Sequence, residues 1–331
     1  MTEHYVRIGG WGKYMPVRIM ANAELAEIVD TSDEWIRART GIGERRIAAP
    51  DETTCTLAVH AARAALDRAH VRPEDLDLII VATCTPDYTN MPATASLVQH
   101  ALGAAHAGAF DLNAVCSGFV YGLATGSQFI LSGAHKSVLV IGADVFTRIL
   151  DWQDRSTCVL FGDGAGAVVL QPSQTPGGLL SFVLGSDGAG ACSLYVPAGG
   201  SRVPTSAETV AERGHYVKMQ GRDVFRFATR VVPESVLLAL EQAGLTTDDI
   251  DLFIPHQANV RIIDATARRL KLSASTVFSN VERYGNTSAA SVPVALCEAI
   301  DADLVHTGST MVLSGFGAGL SWGTAVWKWQ D

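Results

Sequence analysis

The sequence predicts an α/β fold with two similar halves, and three observations support this prediction. Short apolar runs that end in glycine or proline alternate with alanine- and leucine-rich stretches of helical length. The 331 residues are 48% hydrophobic and 18% charged, a composition that suits a large buried core. One helix-and-strand stretch from the first half of the chain also recurs in the second half.

The repeat defines a matching pair of elements in each half. ALDRAHVRPEDLDLII (65–80) and ALEQAGLTTDDIDLFI (239–254) align at a constant offset of 174 residues with seven identities. In each copy a helix ends near a turn, and an apolar run led by aspartate follows as a buried strand. We therefore predict an N-terminal half, residues 1–170, and a C-terminal half, residues 171–331. The Gly-, Pro- and Ser-rich region 171–222 is predicted to be an irregular connection.

Other stretches complete the two halves. SVLVIGADV and TMVLSGF are typical of buried strands, and SAASVPVALCEAI is typical of a helix. In DLNAVCSGFVYGL (111–123) a strand end precedes Cys116 and a small, apolar helix follows. By the repeat this helix corresponds to the one that starts near Thr287, so we expect Cys116 and Asn286 at equivalent helix beginnings. Two helix N-termini meeting there would lower the pKa of the thiol.

Composition and charge exclude several classes of function. The net charge of −9 disfavours a nucleic-acid partner. No apolar run reaches the roughly 18 residues of a membrane span, and the N-terminus lacks the apolar stretch of a secretory signal. The six cysteines show neither CxxC pairs nor metal-ligand spacing, which favours reduced thiols and no metal site. We expect a protein of the cytoplasm.

Three polar residues are candidates for chemistry. Cys116 lies at a predicted helix start, His256 follows the strand DLFIP, and Asn286 precedes a helix. Each also has an ordinary structural explanation: a packed thiol, a hydrogen-bonded histidine and an N-cap. The three structural explanations are less convincing together than singly, because the repeat brings Cys116 and Asn286 to the axis between the two halves. A nucleophilic cysteine is the functional alternative.

A glycine motif also has two interpretations. FGDGAGA (161–167) fits the G-x-G-x-x-A pattern of dinucleotide-binding loops, which should follow a strand and open a helix. Here the glycines lead instead into VVLQP, a short apolar run typical of a strand, and SGFGAGLSWG (314–323) repeats this arrangement. We therefore favour tight glycine turns whose backbone N–H groups face an oxyanion.

Several long motifs resemble β-ketoacyl-acyl-carrier-protein synthase III. They are DLNAVCSGF, IPHQANVRI and ERYGNTSAASVP, which carry Cys116, His256 and Asn286, together with VDTSDEWIRARTGIGERRIA (29–48) and FGDGAGA. The resemblance covers essentially the whole chain in the right order. It implies the five-layered αβαβα thiolase fold, usually as a homodimer, and a reaction without a cofactor.

The resemblance implies a decarboxylating condensation that starts fatty-acid or related polyketide synthesis. The Cys116 thiolate attacks an acyl-CoA, CoA leaves, and malonyl-acyl carrier protein then loses carbon dioxide to give an enolate. His256 Nε2–H and the Asn286 amide stabilise the enolate oxygen. Backbone N–H groups of Cys116 and Ala318 form the oxyanion hole for the tetrahedral intermediates.

The resemblance also assigns binding residues. Those expected to hold coenzyme A are Trp35, Arg39, Arg155 and Asn259. Those expected to dock the acyl carrier protein are Arg226, Arg261, Arg268 and Arg269. Arg261 and Arg268 share one face of a predicted helix, which is equally consistent with an ordinary solvated surface.

Met91 corresponds to the family residue that reaches across the dimer to close the acyl pocket. That residue is often a bulky aromatic, which limits the primer to acetyl. Methionine is unbranched and flexible, so it can fold away from a larger guest. The sequence therefore predicts primers longer or more branched than acetyl, although Met91 is also consistent with simple interface packing.

Two other functions stay open from the sequence alone. One is an acyltransferase that passes the Cys116 acyl group to a hydroxyl or amine, for which the amide of Asn286 is superfluous. The other is a non-catalytic partner subunit, against which the intact Cys, His and Asn argue.

Overall fold

The computed structural model describes residues 5–330 of the chain. Its strands are β1 (Tyr5–Tyr14), β2 (Arg18–Ala21), β3 (Glu44–Ile47), β4 (Leu78–Ala82), β5 (Gly108–Leu112), β6 (Val138–Asp144), β7 (Gly164–Ser173), β8 (Gly178–Ser186), β9 (Leu194–Tyr195), β10 (Lys218–Met219), β11 (Leu252–Pro255), β12 (Thr310–Gly317) and β13 (Ser321–Lys328). Its α-helices are α1 (Asn22–Ala26), α2 (Asp33–Thr40), α3 (Thr54–Ala69), α4 (Thr94–Leu102), α5 (Gly118–Leu131), α6 (Arg155–Cys158), α7 (Ala207–Ala211), α8 (Gly221–Ala243), α9 (Val260–Leu270), α10 (Val281–Tyr284) and α11 (Ser291–Asp301).

Two sheets and three helical layers alternate through the molecule. The first sheet has the strand order β1-β7-β6-β4-β5, and the second has the order β11-β12-β13-β8. Helices α5 and α11 pack between the two sheets, while α3 and α4 cover the outer face of the first sheet and α8 that of the second, with α9 packed against α8. This arrangement is the five-layered αβαβα fold expected from the sequence.

The repeat appears as equivalent elements in the two sheets. Helix α3 ends at Ala69 and α8 at Ala243, and the buried strands begin at Leu78 and Leu252, so each pair keeps the offset read from the sequence. A short 3₁₀ turn lies between helix and strand in both copies. The predicted repeat of secondary structure is confirmed, and the division of the chain at residue 170 stays a prediction.

The region 171–222 was expected to be an irregular connection, and this expectation is wrong in part. Strand β8, GLLSFVLGS, lies inside it and pairs antiparallel with β13 at the edge of the second sheet. In the centre of β8 only Ser181 is buried, because β8 is an edge strand of the sheet. Five of its nine residues are leucine, phenylalanine or valine, so the strand was readable, and the Gly-, Pro- and Ser-rich segments on both sides led to the wrong expectation.

The two central helices begin equivalently, but not in the register predicted. A 3₁₀ turn precedes each: Val115–Ser117 before α5, and Ser288–Ala290 before α11. Both turns open on a residue with positive φ, 49° at Val115 and 51° at Ser288, which is uncommon for residues other than glycine. This match pairs Cys116 with Ala289. Asn286, predicted to be the counterpart of Cys116, is instead two residues before its turn.

Within residues 5–330, no helix combines the length and the apolar character that crossing a membrane requires.

Candidate active site

A cavity of about 690 Å³ opens between the two halves and brings the three candidate residues together. Cys116, His256 and Asn286 all line it. Each is buried, with 3%, 2% and 6% of its surface exposed. The structure therefore places on one wall the three side chains that the sequence singled out. The lining also includes apolar side chains, among them Leu160, Phe161, Leu194, Met219 and Phe316.

The Cys116 thiol lies at the beginning of α5, held between residues of both halves. Its Sγ is 3.4 Å from the hydroxyl oxygen of Ser288, which lies in the turn before α11. The same hydroxyl is 3.6 Å from the Sγ of Cys84, a half-buried thiol in the loop after β4. Ser288 thus positions the nucleophile candidate directly, although the sequence did not single it out.

Burial raises the pKa of the Cys116 thiol to about 12. The Ser288 hydroxyl acts in the opposite direction, and the negative charge of Asp144 adds to the increase. The sequence predicted a lowered pKa from the helix N-termini, whereas the pKa is raised, because burial takes the thiolate out of water. The thiol is therefore protonated at neutral pH.

His256 lies immediately after β11 with its ring fixed on two sides. Its Nδ1 is 2.5 Å from the Ser291 hydroxyl, and the ring meets the edge of Phe316 at a centroid distance of 5.1 Å. Its backbone N–H donates to the carbonyl of Ser314 on the neighbouring strand β12. Burial lowers the pKa of His256 to about 3, so the imidazole is neutral at physiological pH.

Asn286 is held by its backbone and by one end of its side chain. Its N–H donates to the Leu160 carbonyl at 2.8 Å, and its own carbonyl accepts from Gly162 at 3.0 Å. Its Oδ1 accepts from the backbone N–H of Ser288 at 2.8 Å. Because Oδ1 is occupied inside the protein, the Nδ2 amide remains as the donor for the cavity. Asn286 can therefore accept from the Ser288 N–H, as an N-cap would, and still offer its amide N–H to the cavity.

The FGDGAGA motif supports Asn286 rather than an oxyanion. The Gly162 N–H donates to the Asn286 carbonyl. It does not face the cavity, so the prediction that it faces an oxyanion is wrong. A Cβ on Gly162 would lie 2.6 Å from the Tyr284 carbonyl oxygen, and one on Gly166 would lie 2.8 Å from the backbone of Pro293. The glycines therefore permit close backbone contacts. The residues that follow form strand β7, as predicted, which rules out a dinucleotide-binding loop here.

A third glycine, Gly317, lies close to the backbone of the nucleophile. Gly317 lines the cavity, and a Cβ there would lie 2.8 Å from the backbone nitrogen of Cys116. The missing side chain lets the end of β12 approach the nucleophile directly. Ala318, predicted to supply the second backbone donor, follows Gly317 but is not among the residues that line the cavity, and it packs against the cluster that contains Phe161. Its role as a donor stays a prediction.

The residues expected to bind coenzyme A line the mouth of the same cavity. They are Trp35, Arg39, Arg155 and Asn259. The Cζ atoms of Arg39 and Arg155 lie 4.6 and 4.9 Å from the centroid of the Trp35 ring. Asn259 caps α9 and donates through Nδ2 to the Arg39 carbonyl. An aromatic ring beside two guanidinium groups is suited to a nucleotide base and its phosphates.

The arginines expected to dock the carrier protein differ in their surroundings. Arg226 and Arg261 are exposed at the cavity mouth, together with Arg222, which the sequence did not single out. Arg268 is exposed farther along α9 and outside the cavity lining. Arg269 instead ties α9 to α8, because it donates to Glu234 and to the Thr229 carbonyl. Its charge is therefore largely used within the protein.

Met91 lies in the loop between β4 and α4 and does not line the cavity of its own chain. Its side chain is 79% exposed, and that of nearby Tyr88 is 55% exposed. Separately, β5 ends the first sheet, so its outer side is unpaired within residues 5–330. Such apolar exposure is typical of a surface that another molecule covers.

Three residues of the site were not identified from the sequence: Ser288, Ser291 and Arg222. Both serines lie inside the quoted motif NTSAAS, yet a serine near a helix start is usually a cap, and only the fold shows what its hydroxyl meets. Arg222 lies in α8, one residue after its start and at the end of the region predicted to be irregular. Among residues 5–330, no group of His, Cys, Asp and Glu side chains is arranged to hold a metal ion.

Comparisons with known proteins identify the family of the chain. Residues 110–188 match the family model for 3-oxoacyl-[acyl-carrier-protein (ACP)] synthase III, and residues 240–329 match the model for its C-terminal part. The chain is 55% identical over 324 residues to the β-ketoacyl-[acyl-carrier-protein] synthase III of Symbiobacterium thermophilum, with 98% of each chain covered.

Solved structures of related enzymes share the whole fold. The chain superposes on 3-oxoacyl-[acyl-carrier-protein] synthase III from Aquifex aeolicus VF5 with a TM-score of 0.91 and 45% identity, covering 98% of this chain and 100% of that one. It superposes on the priming β-ketosynthase of the R1128 polyketide biosynthetic pathway with a TM-score of 0.91 and 40% identity, covering 99% and 97%.

Proposed function

The chain belongs to the 3-oxoacyl-[acyl-carrier-protein] synthase III family, and we propose that it performs this family's condensation with Cys116 as the nucleophile. It joins an acyl-CoA primer to malonyl-acyl carrier protein, without a cofactor, and so initiates fatty-acid synthesis. One observation carries the residue assignment: Cys116, His256 and Asn286 line a single cavity that also contains Trp35 with two guanidinium groups close to its ring.

In the first half-reaction the Cys116 sulfur attacks the thioester carbonyl of the acyl-CoA. The new carbon–sulfur bond forms while the bond to the coenzyme A sulfur breaks, and the thiol proton passes in net terms to the departing coenzyme A. The raised pKa of Cys116 supports proton loss during attack rather than a preformed thiolate. Backbone N–H groups of Cys116 and Ala318 stabilise the tetrahedral oxyanion.

In the second half-reaction the malonyl group loses carbon dioxide, and the electron pair of the broken bond becomes an enolate. The enolate carbon attacks the acyl carbonyl, and the bond to Cys116 breaks to release a thiolate, which takes a proton from solvent. His256 and the Asn286 amide donate to the enolate oxygen. A neutral imidazole suits this role, since decarboxylation makes the nucleophile without a base.

The same proposal includes a homodimer in the cytoplasm. Strand β5 ends the first sheet, so its outer backbone groups can pair with a second copy. The exposed side chains of Met91 and Tyr88, in the loop between β4 and α4, are apolar groups that a second copy would cover. All six cysteines are free thiols, which suits a reducing compartment.

Mass spectrometry of the intact protein tests the proposed function. Incubation with a panel of acyl-CoAs should add one acyl group, at Cys116, and subsequent malonyl-acyl carrier protein should remove it with formation of the β-ketoacyl product. Transfer of the acyl group to a hydroxyl or amine acceptor without decarboxylation would instead identify an acyltransferase. A protein that is never acylated would be a non-catalytic subunit.

Substitutions of Met91 should change the range of primers. Met91→Trp should narrow acylation toward acetyl-CoA, and Met91→Ala should admit longer chains, because each additional buried methylene is worth about 0.8 kcal/mol. The measurement is acylation kcat/KM against chain length, with Val17→Ala, at another exposed apolar side chain, as the control. An identical profile in both Met91 variants would remove Met91 from the pocket.

Arg268→Glu should weaken docking of the carrier protein selectively. Arg268 is exposed on α9 outside the cavity lining, whereas Arg261 lies at the mouth that coenzyme A also uses. The variant should raise KM for malonyl-acyl carrier protein several-fold and leave acylation by acyl-CoA unchanged, with an effect that shrinks in salt. Arg63→Glu, the same charge change on α3, is the control. Equal changes in both half-reactions would contradict docking at α9.

A further inference from the structure

Ser291 makes the closest polar contact to His256. It is the first residue of α11 and is 2% exposed. Its Oγ lies 2.5 Å from His256 Nδ1 and 3.4 Å from the backbone nitrogen of Gln257. The hydroxyl therefore lies between a ring nitrogen and a backbone donor, away from the cavity.

The hydrogen-bond inventory determines which partner holds the proton. The Gln257 N–H can only donate, so Ser291 Oγ is its acceptor. The hydroxyl keeps one proton of its own, and within residues 5–330 the acceptor in contact with it is His256 Nδ1. A buried hydroxyl that failed to donate would lose the free energy of a hydrogen bond. Ser291 is thus the donor and Nδ1 the acceptor.

The His256 imidazole is held in one orientation. A 180° flip of the ring would place Cδ2 where Nδ1 now meets the Ser291 hydroxyl and would lose that hydrogen bond. The ring also packs against Phe316 at an interplanar angle of 74°. A neutral imidazole carries one proton, and burial keeps the ring neutral. With Nδ1 as the acceptor, that proton is on Nε2, the nitrogen on the opposite side of the ring from Ser291.

We propose that Ser291 is a positioning residue that holds His256 in the tautomer with its proton on Nε2. This inference rests on the proposed function, because that tautomer presents an N–H donor to the enolate oxygen. Ser291 touches no substrate and acts through the imidazole. The arrangement matches the general rule that a partner on one ring nitrogen sets the role of the other.

NMR of the protein with ¹⁵N-labelled histidine tests the tautomer without reference to activity. The wild-type His256 signal, assigned by its absence in His256→Ala, should show a bare Nδ1 and a protonated Nε2 throughout neutral pH. In Ser291→Ala the signal should become a mixture of both tautomers. A wild-type signal with the proton on Nδ1 would overturn the proposal, and this measurement decides even where Ser291→Ala fails to fold.

Kinetics supply the second readout. Ser291→Ala should slow condensation roughly tenfold or more while acylation of Cys116 proceeds normally, and Ser291→Thr, which keeps a hydroxyl, should restore the rate. Ser235→Ala, which removes a buried hydroxyl hydrogen-bonded to Thr324, is the matched control and should leave both steps unchanged. An unchanged tautomer and rate in Ser291→Ala would overturn the proposal. Wild-type protein with the predicted NMR signal but no condensation would refute only the proposed function.

Discussion

Replacing Asn286 with aspartate is expected to leave acylation of Cys116 intact and to slow condensation by on the order of a hundredfold or more. The Oδ1 of Asn286 accepts from the Ser288 N–H, an interaction that a carboxylate oxygen preserves. The change therefore removes the N–H donor and adds a negative charge where the enolate develops. Asn286→Ala should have the same selective effect but also leaves the Ser288 N–H without its acceptor.

The comparison with Cys116→Ala separates the two half-reactions. That variant should never become acylated, because no other residue replaces the nucleophile. Both steps can be followed by mass spectrometry, as formation of the acyl-enzyme and then its loss on addition of malonyl-acyl carrier protein. Thermal unfolding checks that each variant is folded. A folded Asn286→Asp protein that cannot be acylated would show that the proposed division of roles is wrong.

The repeat shows how far sequence reasoning reaches in this chain. The offset between Ala69 and Ala243 was readable because both copies keep their helix end and their aspartate-led strand. The equivalent helix beginnings were predicted in the wrong register, since Cys116 has Ala289, not Asn286, as its counterpart. The true counterpart of Asn286 is Asn113, whose Oδ1 also accepts from the residue two positions later. This shared asparagine was the one signal for the alignment that the sequence analysis did not use, because the residues after it differ in composition.

The protonation states of the site residues also could not be predicted from the sequence. Helix N-termini near Cys116 could be inferred from the repeat, but the extent of desolvation depends on how completely the second half covers the thiol. Burial is the largest cause of the raised pKa of Cys116 and of the lowered pKa of His256. Side-chain identities therefore indicated the triad, whereas its protonation states follow from the packing of the two halves.

Gly142, in the centre of the first sheet, shows why glycines near the site could not be interpreted from motifs. It lies in β6, and a Cβ at this position would be 2.2 Å from the carbonyl oxygen of Ala289. Ala289 lies in the turn that carries Ser288, and its N–H donates to Asp144 at the end of β6. The strand and the turn therefore meet backbone to backbone beneath the nucleophile.

Gly142→Ala is accordingly expected to destabilise the protein by about 1–3 kcal/mol and to slow catalysis. The clash is with backbone, so the turn must move, and that movement displaces the hydroxyl of Ser288 from the Cys116 sulfur. Denaturant unfolding measures the loss of stability, and acylation followed by condensation measures the loss of alignment. The control is Gly188→Ala, where a Cβ meets nothing within 4 Å. If Gly142→Ala matched Gly188→Ala in stability and in both rates, the close approach of β6 to the turn would have no part in holding the site together.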